Sequence, residues 1–260
     1  MINILKEIIQ YRELLYSLSL KDLKIRYKQT FLGLAWAVFS PVSMMLIFTF
    51  IFNRMARIPT GAIPYSIFVY CGLVPWTFFS ASLTGAVVIL VNNSNLVTKV
   101  YFPREVFPLS VIISKFVDFA VASLVLAGMM IFYGIPFRAT MFLVPFILLI
   151  QLMLMIGLSF FLAMGNLFYR DVKYIFEVVI LLWMFATSVI YPINTSSTML
   201  YNILMLNPMT PIINAYRDLI LNGVLPEPGP LLFAAIISLL VFAAGTLSFH
   251  RAEYLFAENI

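Results

Sequence analysis

The stretch YSIFVYCGLVPWTFFSASLTGAVVIL (residues 65–90) contains no Asp, Glu, Lys or Arg, and it lies inside a longer charge-free run, residues 58–98. Roughly 20 apolar residues span about 30 Å of hydrocarbon as an α-helix. In that medium backbone N–H and C=O groups must pair within the segment, so the run predicts a membrane-spanning helix. A barrel strand would need apolar and polar residues to alternate, and here they do not. Working outward, five more charge-free runs occupy residues 31–52, 119–137, 139–169, 178–216 and 229–249. Six crossings follow, placed at residues 31–52, 65–90, 108–133, 141–168, 175–191 and 231–249. Pro41 and Pro75 predict bends in the first two. The whole 260-residue chain agrees, with 63% hydrophobic and 10% charged residues and a mean hydropathy of +1.02. Soluble chains carry roughly a quarter charged residues.

The flanks set the orientation. No signal peptide is evident at the N-terminus. Instead Ile4, Ile8, Tyr11, Leu15 and Leu18 share one helical face, with Lys6, Glu7, Arg12 and Glu13 elsewhere, which predicts an amphipathic helix along the membrane surface. It leads into KDLKIRYK (residues 21–28), a basic run that beside a first span marks the cytosolic side and gives no sign of nucleic acid. With an even number of spans both termini share a side, and placing them in the cytosol puts 12 of the 16 Lys and Arg inside. Only Arg54, Arg57, Arg138 and Arg217 fall outside, as the positive-inside rule requires. The chain thus divides into a cytosolic segment, residues 1–30, a six-span domain, residues 31–250, and a cytosolic tail, residues 251–260.

Between spans five and six the chain is too long for a hairpin and too apolar for an exposed loop. YNILMLNPMTPIINAYRDLILNG (residues 201–223) sits at its centre, and apolar pieces of about ten residues separated by Asn-Pro and Pro predict short helices dipping back into the membrane. No internal repeat is evident, which argues against the inverted-repeat transporter architecture.

Little in the chain supports bond chemistry. The one histidine, His250, reads as an interfacial residue, and no His, Cys and carboxylate cluster has metal-ligand spacing. The single cysteine, Cys71, excludes an internal disulfide. No Gly-rich loop ends in Lys-Ser or Lys-Thr, so ATP is not expected to bind here. Ion-coupled carriers bury ionisable groups at mid-membrane, whereas Lys115, Asp118 and Glu177 all lie near span ends. The energy source therefore lies outside the chain. Aromatic residues are plentiful, at 16%. Trp36, Tyr70, Trp76, Phe78, Phe79, Trp183, Phe185 and Tyr191 are candidates to line a pathway on whose flat side chains sugar rings would stack, with lipid contact and interfacial belts as the competing role. Pairs of small residues, Ala81/Gly85 and Ser159/Ala163, permit close helix approach. Two cytosolic connectors remain. In LVTKVYFPREVFPLS (residues 96–110), prolines bracket Arg104-Glu105 beside Tyr101 and Phe102, the composition of a handle gripped by another protein. In the other, Arg170 and Asp171 are expected to form a local ion pair.

Five pieces in order, RYKQTFLGLAWAVFSP, GLVPWTFFSASL, VYFPREVFPL, NLFYRDVKYI and NPMTPIINAYRDLILNG, make the chain resemble the membrane subunits of ABC-2 type polysaccharide exporters, those that export O-antigen, capsule or teichoic acid. The resemblance implies an all-α integral membrane protein of six transmembrane helices with an N-terminal interfacial helix and re-entrant external helices. It further implies a homodimer joined by two copies of a separate ATP-binding subunit, in the bacterial inner membrane. ATP and Mg would bind in that partner, with no cofactor or metal in this chain. Lys99, Val100, Tyr101, Phe102, Pro103, Arg104 and Glu105 would form the coupling element. The external mouth would be closed by the re-entrant segment, with Asn207, Pro208, Tyr216, Arg217 and Asp218 as its gate. The cargo would be a lipid-linked polysaccharide. Rival readings are an exporter of a small hydrophobic drug or lipid on the same architecture, a membrane transferase modifying the glycan, and a membrane scaffold.

Overall fold

The computed structural model describes residues 10–28, 33–55, 63–100, 102–193 and 198–256, and every regular element among them is helical. Helix α1 is Arg12–Tyr27, and α2 (Trp36–Phe48) grows from a 3-10 turn at Gly33–Ala35 and runs on into a π turn, Thr49–Met55. Then come α3 (Tyr65–Asn92), the short α4 (Ser94–Lys99), α5 (Val106–Phe132) and α6 (Val144–Phe168), the last led in by a 3-10 turn at Ala139–Leu143. The chain continues with α7 (Val172–Phe185), α8 (Thr198–Met205) and α9 (Met209–Arg217) with its π turn Asp218–Asn222. It ends in α10 (Pro228–Ala252) and a 3-10 turn, Glu253–Leu255.

Four helical stretches are long and apolar enough to cross a membrane: Tyr65–Asn92, Val106–Phe132, Ala139–Phe168 and Pro228–Leu255. They coincide in place with expected spans two, three, four and six. The stretch expected as span one is a shorter apolar helix, Trp36–Phe52. The region expected as span five needs correction. Helix α7 begins at Val172 and stops at Phe185 after 14 residues, about 21 Å at 1.5 Å per residue, and residues 186–193 are irregular. Remote side chains supply donors to this stretch, as described below, so the backbone need not stay helical to satisfy its carbonyls.

Helix α3 is the hub of the bundle and packs against α5 on one side and α6 on the other, while α6 also packs along α10. The α6–α10 contact is backbone to backbone. A Cβ on Gly157 would stand 2.4 Å from the Val241 carbonyl oxygen, and one on Gly245 would stand 2.4 Å from the Gly157 carbonyl oxygen. Only glycine at both positions permits this approach. Pro75 does not interrupt α3. Fully buried Gln151 of α6 donates through Nε2 to the Pro75 carbonyl (2.8 Å) and accepts from the Tyr216 hydroxyl of α9 (3.0 Å). This polar chain ties three helices together inside the apolar core.

Two cores result. The larger gathers Ile67, Tyr70, Leu73 and Phe79 of α3 with Ile147, Leu154 and Met155 of α6 and Ile212 and Ile213 of α9. The smaller lies at one end, where Leu90, Val97, Phe102 and Phe107 meet Phe160, Leu167, Phe249 and Phe256. Helix α1 lays Tyr11, Leu14 and Leu18 against that second core. It is also pinned to α5, where Ser114 Oγ donates to Asp22 (2.6 Å) and the Tyr27 hydroxyl donates to Asp118. The positions of Ile4 and Ile8 lie outside the described residues. The bundle's outer surface is apolar, with Leu124, Phe132, Phe142 and Leu240 all exposed, as befits a solvent of hydrocarbon.

Candidate coupling, gating and pathway sites

The expected handle is half tip and half root. Thr98, Lys99 and Val100 are exposed at the end of α4, and Tyr101 lies outside the described residues. From Phe102 onward the segment turns inward. Phe102 is 3% exposed and packs against Phe107 in the second core, with ring centroids 5.3 Å apart. Pro103 and Pro108 suit the start of α5, because first-turn N–H groups have no intrahelical partner to lose. The Arg104 backbone N–H and guanidinium both donate to Glu253 Oε1, at 2.9 and 3.2 Å, and the guanidinium also reaches the Val97 carbonyl at 3.3 Å. Glu105 is 1% exposed, and its Oε1 lies 3.1 Å from His250 Nδ1. Burial raises the Glu105 carboxyl above the ordinary carboxylate range. A bond from its own backbone N–H opposes that rise, the Glu253 charge adds to it, and His250 opposes it. Arg104 and Glu105, expected as water-facing contacts for a partner, are instead the root of the handle in its own chain.

The expected gate is built around an arginine counted as external from its sequence context. Arg217 is 4% exposed. Its Nε donates to the Phe68 carbonyl (3.2 Å), NH1 to the Ser188 carbonyl and NH2 to the Val189 carbonyl (both 2.5 Å), and its guanidinium lies 3.8 Å from the Phe68 ring centre. This fork caps the irregular backbone beyond α7. Gly72 leaves it room, since a Cβ there would lie 2.5 Å from NH2. Nearby the Tyr65 hydroxyl donates to the Ile190 carbonyl (2.6 Å). Asn207 bolts α7 to α9: its Oδ1 accepts from Trp183 Nε1 (2.9 Å) and Met209 N (3.1 Å), while Nδ2 donates to Thr187 Oγ1 (2.8 Å) and the Ala186 carbonyl (3.2 Å). Pro208 caps the start of α9, and Asp218 accepts from Asn222 (2.9 Å). Gly223, at φ 67°, ends the π turn in a left-handed conformation that glycine adopts without strain. A cavity of about 360 Å³ opens here between Phe68, Tyr201, Asn214, Arg217, Asp218 and Glu227.

The expected pathway aromatics are divided. Tyr70, Trp76, Phe78 and Phe79 are buried within the single chain, Tyr70 donating to the Ala122 carbonyl (3.2 Å). Those four pack the core. Trp183 is half-buried and meets Phe79 edge to face, and Tyr191 is half-buried and donates to the Phe185 carbonyl (3.0 Å). Trp36 is 46% exposed and borders a second cavity, about 340 Å³, with Tyr27, Ser40, Thr77, Phe78 and Asp118.

Comparison with known proteins places this architecture. The model of a family described as ABC-2 type transporter matches residues 13–221. The chain belongs to the ABC-2 type transporter family. An O-antigen export system permease protein of Myxococcus xanthus is 34% identical over 262 residues, covering 100% of both chains. One from Klebsiella pneumoniae is 32% identical, covering 95% of this chain and 94% of that protein. A polysialic acid transport protein of Escherichia coli is 24% identical over 91% of this chain and 92% of its own length. Family membership together with the apolar helices makes this a multi-pass membrane protein.

One expectation for this ABC-2 family member fails locally. Arg170 and Asp171 form no ion pair: both are exposed and make no charged contact among the described residues. They are sequence neighbours at the entry to α7, and adjacent side chains there point apart. His250, read as an interfacial residue, is half exposed in the last turn of α10 and sits between two carboxylates. Sequence reasoning missed Glu253, Gln151 and the Gly157–Gly245 contact. The one local signal is the i,i+3 spacing of His250 and Glu253.

Proposed function

We propose that this chain is the membrane permease subunit of an ATP-driven exporter that moves a lipid-linked polysaccharide of the O-antigen kind outward across the bacterial inner membrane. It works as a homodimer of six-span subunits with two copies of a separate ATP-binding subunit, and both termini lie in the cytosol. ATP and Mg bind in that partner, whose hydrolysis supplies the energy, and this chain catalyses no bond chemistry. The short helices α8 and α9 are re-entrant and close the external mouth, and α1 lies at the cytosolic interface.

The observation that carries this reading is the construction of the handle. An exposed tip (Thr98–Val100) is continuous with a root in which Phe102, Arg104 and Glu105 are fastened to α5, α10 and the second core. A displacement at the tip is thereby delivered to the ends of several long helices rather than absorbed in a loose loop. Names of the relatives supply the cargo class, and full-length similarity to O-antigen permeases favours a glycan over a small drug. With Trp36 and Phe185 exposed and Trp183 and Tyr191 half-buried, these four of the candidate aromatics remain open to stacking sugar rings along a path.

The test is to substitute the tip, Lys99→Glu with Val100→Asp, in nanodiscs holding the permease and its ATPase. Export falls at least about tenfold while ATPase activity and complex assembly persist, because the tip is exposed and carries no folding contact. Normal export by the tip variant would sink the coupling role. Loss of assembly would relocate the tip to the static docking surface.

A further inference from the structure

Residues 145 positions apart come together at the root of the handle, and no sequence motif predicts it. We propose that Glu105, His250 and Glu253 form a binding site for a divalent transition-metal ion of the zinc class, which staples the handle to the end of α10.

The donor set suits such an ion. One ligand atom from each residue falls within a group spanning at most 4.8 Å. His250 Nδ1 is 3.1 Å from Glu105 Oε1 and 3.8 Å from Glu253 Oε2. Zinc bonds to nitrogen and oxygen of about 2.0–2.1 Å put tetrahedral donors about 3.3 Å apart, between those two separations. The longer one exceeds a hydrogen bond, so that edge of the triangle is not already closed by a shared proton. An independent observation points the same way. Glu105 Oε2 is buried and has no hydrogen-bond partner, although Glu105 is 1% exposed and its carboxylate faces His250. A buried oxygen left unsatisfied costs about 1–3 kcal/mol, and a cation held by both oxygens of the Glu105 carboxylate removes that cost.

The surroundings complete the site. Arg104 places two donors on Glu253 Oε1, which fixes that carboxylate with Oε2 turned toward His250, the orienting role that outer partners of metal ligands perform. With a neutral imidazole, two carboxylates and one guanidinium leave the cluster at net charge −1, attractive to a dication. The His250 side chain is 47% exposed, which provides an entry path and an open fourth position for water. Three protein ligands including an imidazole favour zinc over magnesium and calcium, which take six or more oxygens.

The experiment uses the full-length chain purified in nanodiscs without a polyhistidine tag, stripped with EDTA and titrated with zinc chloride, with magnesium chloride as control. Bound zinc is counted by atomic emission and the melting temperature is followed in parallel. The expected result is one zinc per chain at micromolar concentration, a raised melting temperature with zinc alone, and affinity reduced at least about tenfold in His250→Ala and Glu253→Gln. His250 is half exposed, so its substitution leaves a folded protein even if Glu105→Gln does not. No stoichiometric zinc in the wild type overturns the site, as does equal binding by both variants. A melting temperature that ignores zinc also overturns it.

Discussion

Arg217 and Glu105 are both buried charges, and α3, about 42 Å long, separates them. At the Arg217 end the charge is fully spent: three carbonyls and an aromatic face engage the guanidinium, and none of those partners titrates. At the Glu105 end one carboxylate oxygen shares a half-exposed histidine and the other has no partner. Burying a charge is costly unless hydrogen bonds repay it. The first end repays it and is locked, which suits a fixed frame for the irregular backbone beyond α7. The second is incompletely satisfied and adjustable, and it lies where the handle meets the bundle.

That contrast can be broken most severely at Arg217. Arg217→Met leaves the Phe68, Ser188 and Val189 carbonyls without their donor and is expected to cost at least about 3 kcal/mol, read as a large drop in melting temperature and membrane yield. Arg217→Lys rescues little, because an ammonium lacks the planar fork. Gly72→Ala pushes a methyl group toward the same guanidinium and the Val189 carbonyl oxygen, 2.9 Å away, for a loss of about 1–3 kcal/mol by the same melting assay. If Gly72→Ala melts like the wild type, the cage is looser than its distances state.

At the other end the effects are smaller. A double-mutant cycle of Arg104→Gln and Glu253→Gln is expected to show coupling of about 1 kcal/mol, since the pair is largely but not wholly buried. Additivity would mean that Arg104 stabilises the root through contacts other than Glu253. The smallest effect is on pH. Because the folded Glu105 carboxyl titrates above its unfolded value, the folded chain holds more protons across that interval. Stability therefore falls as pH rises from the ordinary carboxylate value to the raised one. Glu253 and His250 act on the same carboxyl in opposite directions and modulate the slope. Hydrogen exchange at the start of α5 in metal-free protein measures it, and Glu105→Gln should flatten it. An equal slope in that variant would assign the titration elsewhere.

The fold was legible wherever hydrocarbon alone dictates structure. Residues 65–90 could only be a helix, and α6 and α10 also lie where charge-free runs put them, whereas α5 starts at Val106, well before its run. Span five was overextended because residues 186–191 are as apolar as a helix needs to be, and nothing local reveals that Arg217, Tyr65 and Asn207 cap that backbone. Of the proposed pathway residues, Tyr70, Trp76, Phe78 and Phe79 belong to the core, because an aromatic residue in a span fits a helix interface as well as a lumen. The handle was recognisable from its prolines and charges. Its inward half was not, since a charged residue reads as exposed until its partner is known.

By itself the sequence determined the medium and the helical class, because transfer into lipid is a property of each segment and is settled within some 20 residues. The tertiary structure alone decided which charges are buried and what they hold. Arg217 reaches Phe68 across 149 positions and Glu105 reaches His250 across 145. Such contacts depend on which helices pack side by side, and that in turn rests on the Gly157–Gly245 approach, where two backbones meet because neither residue carries a side chain to hold them apart.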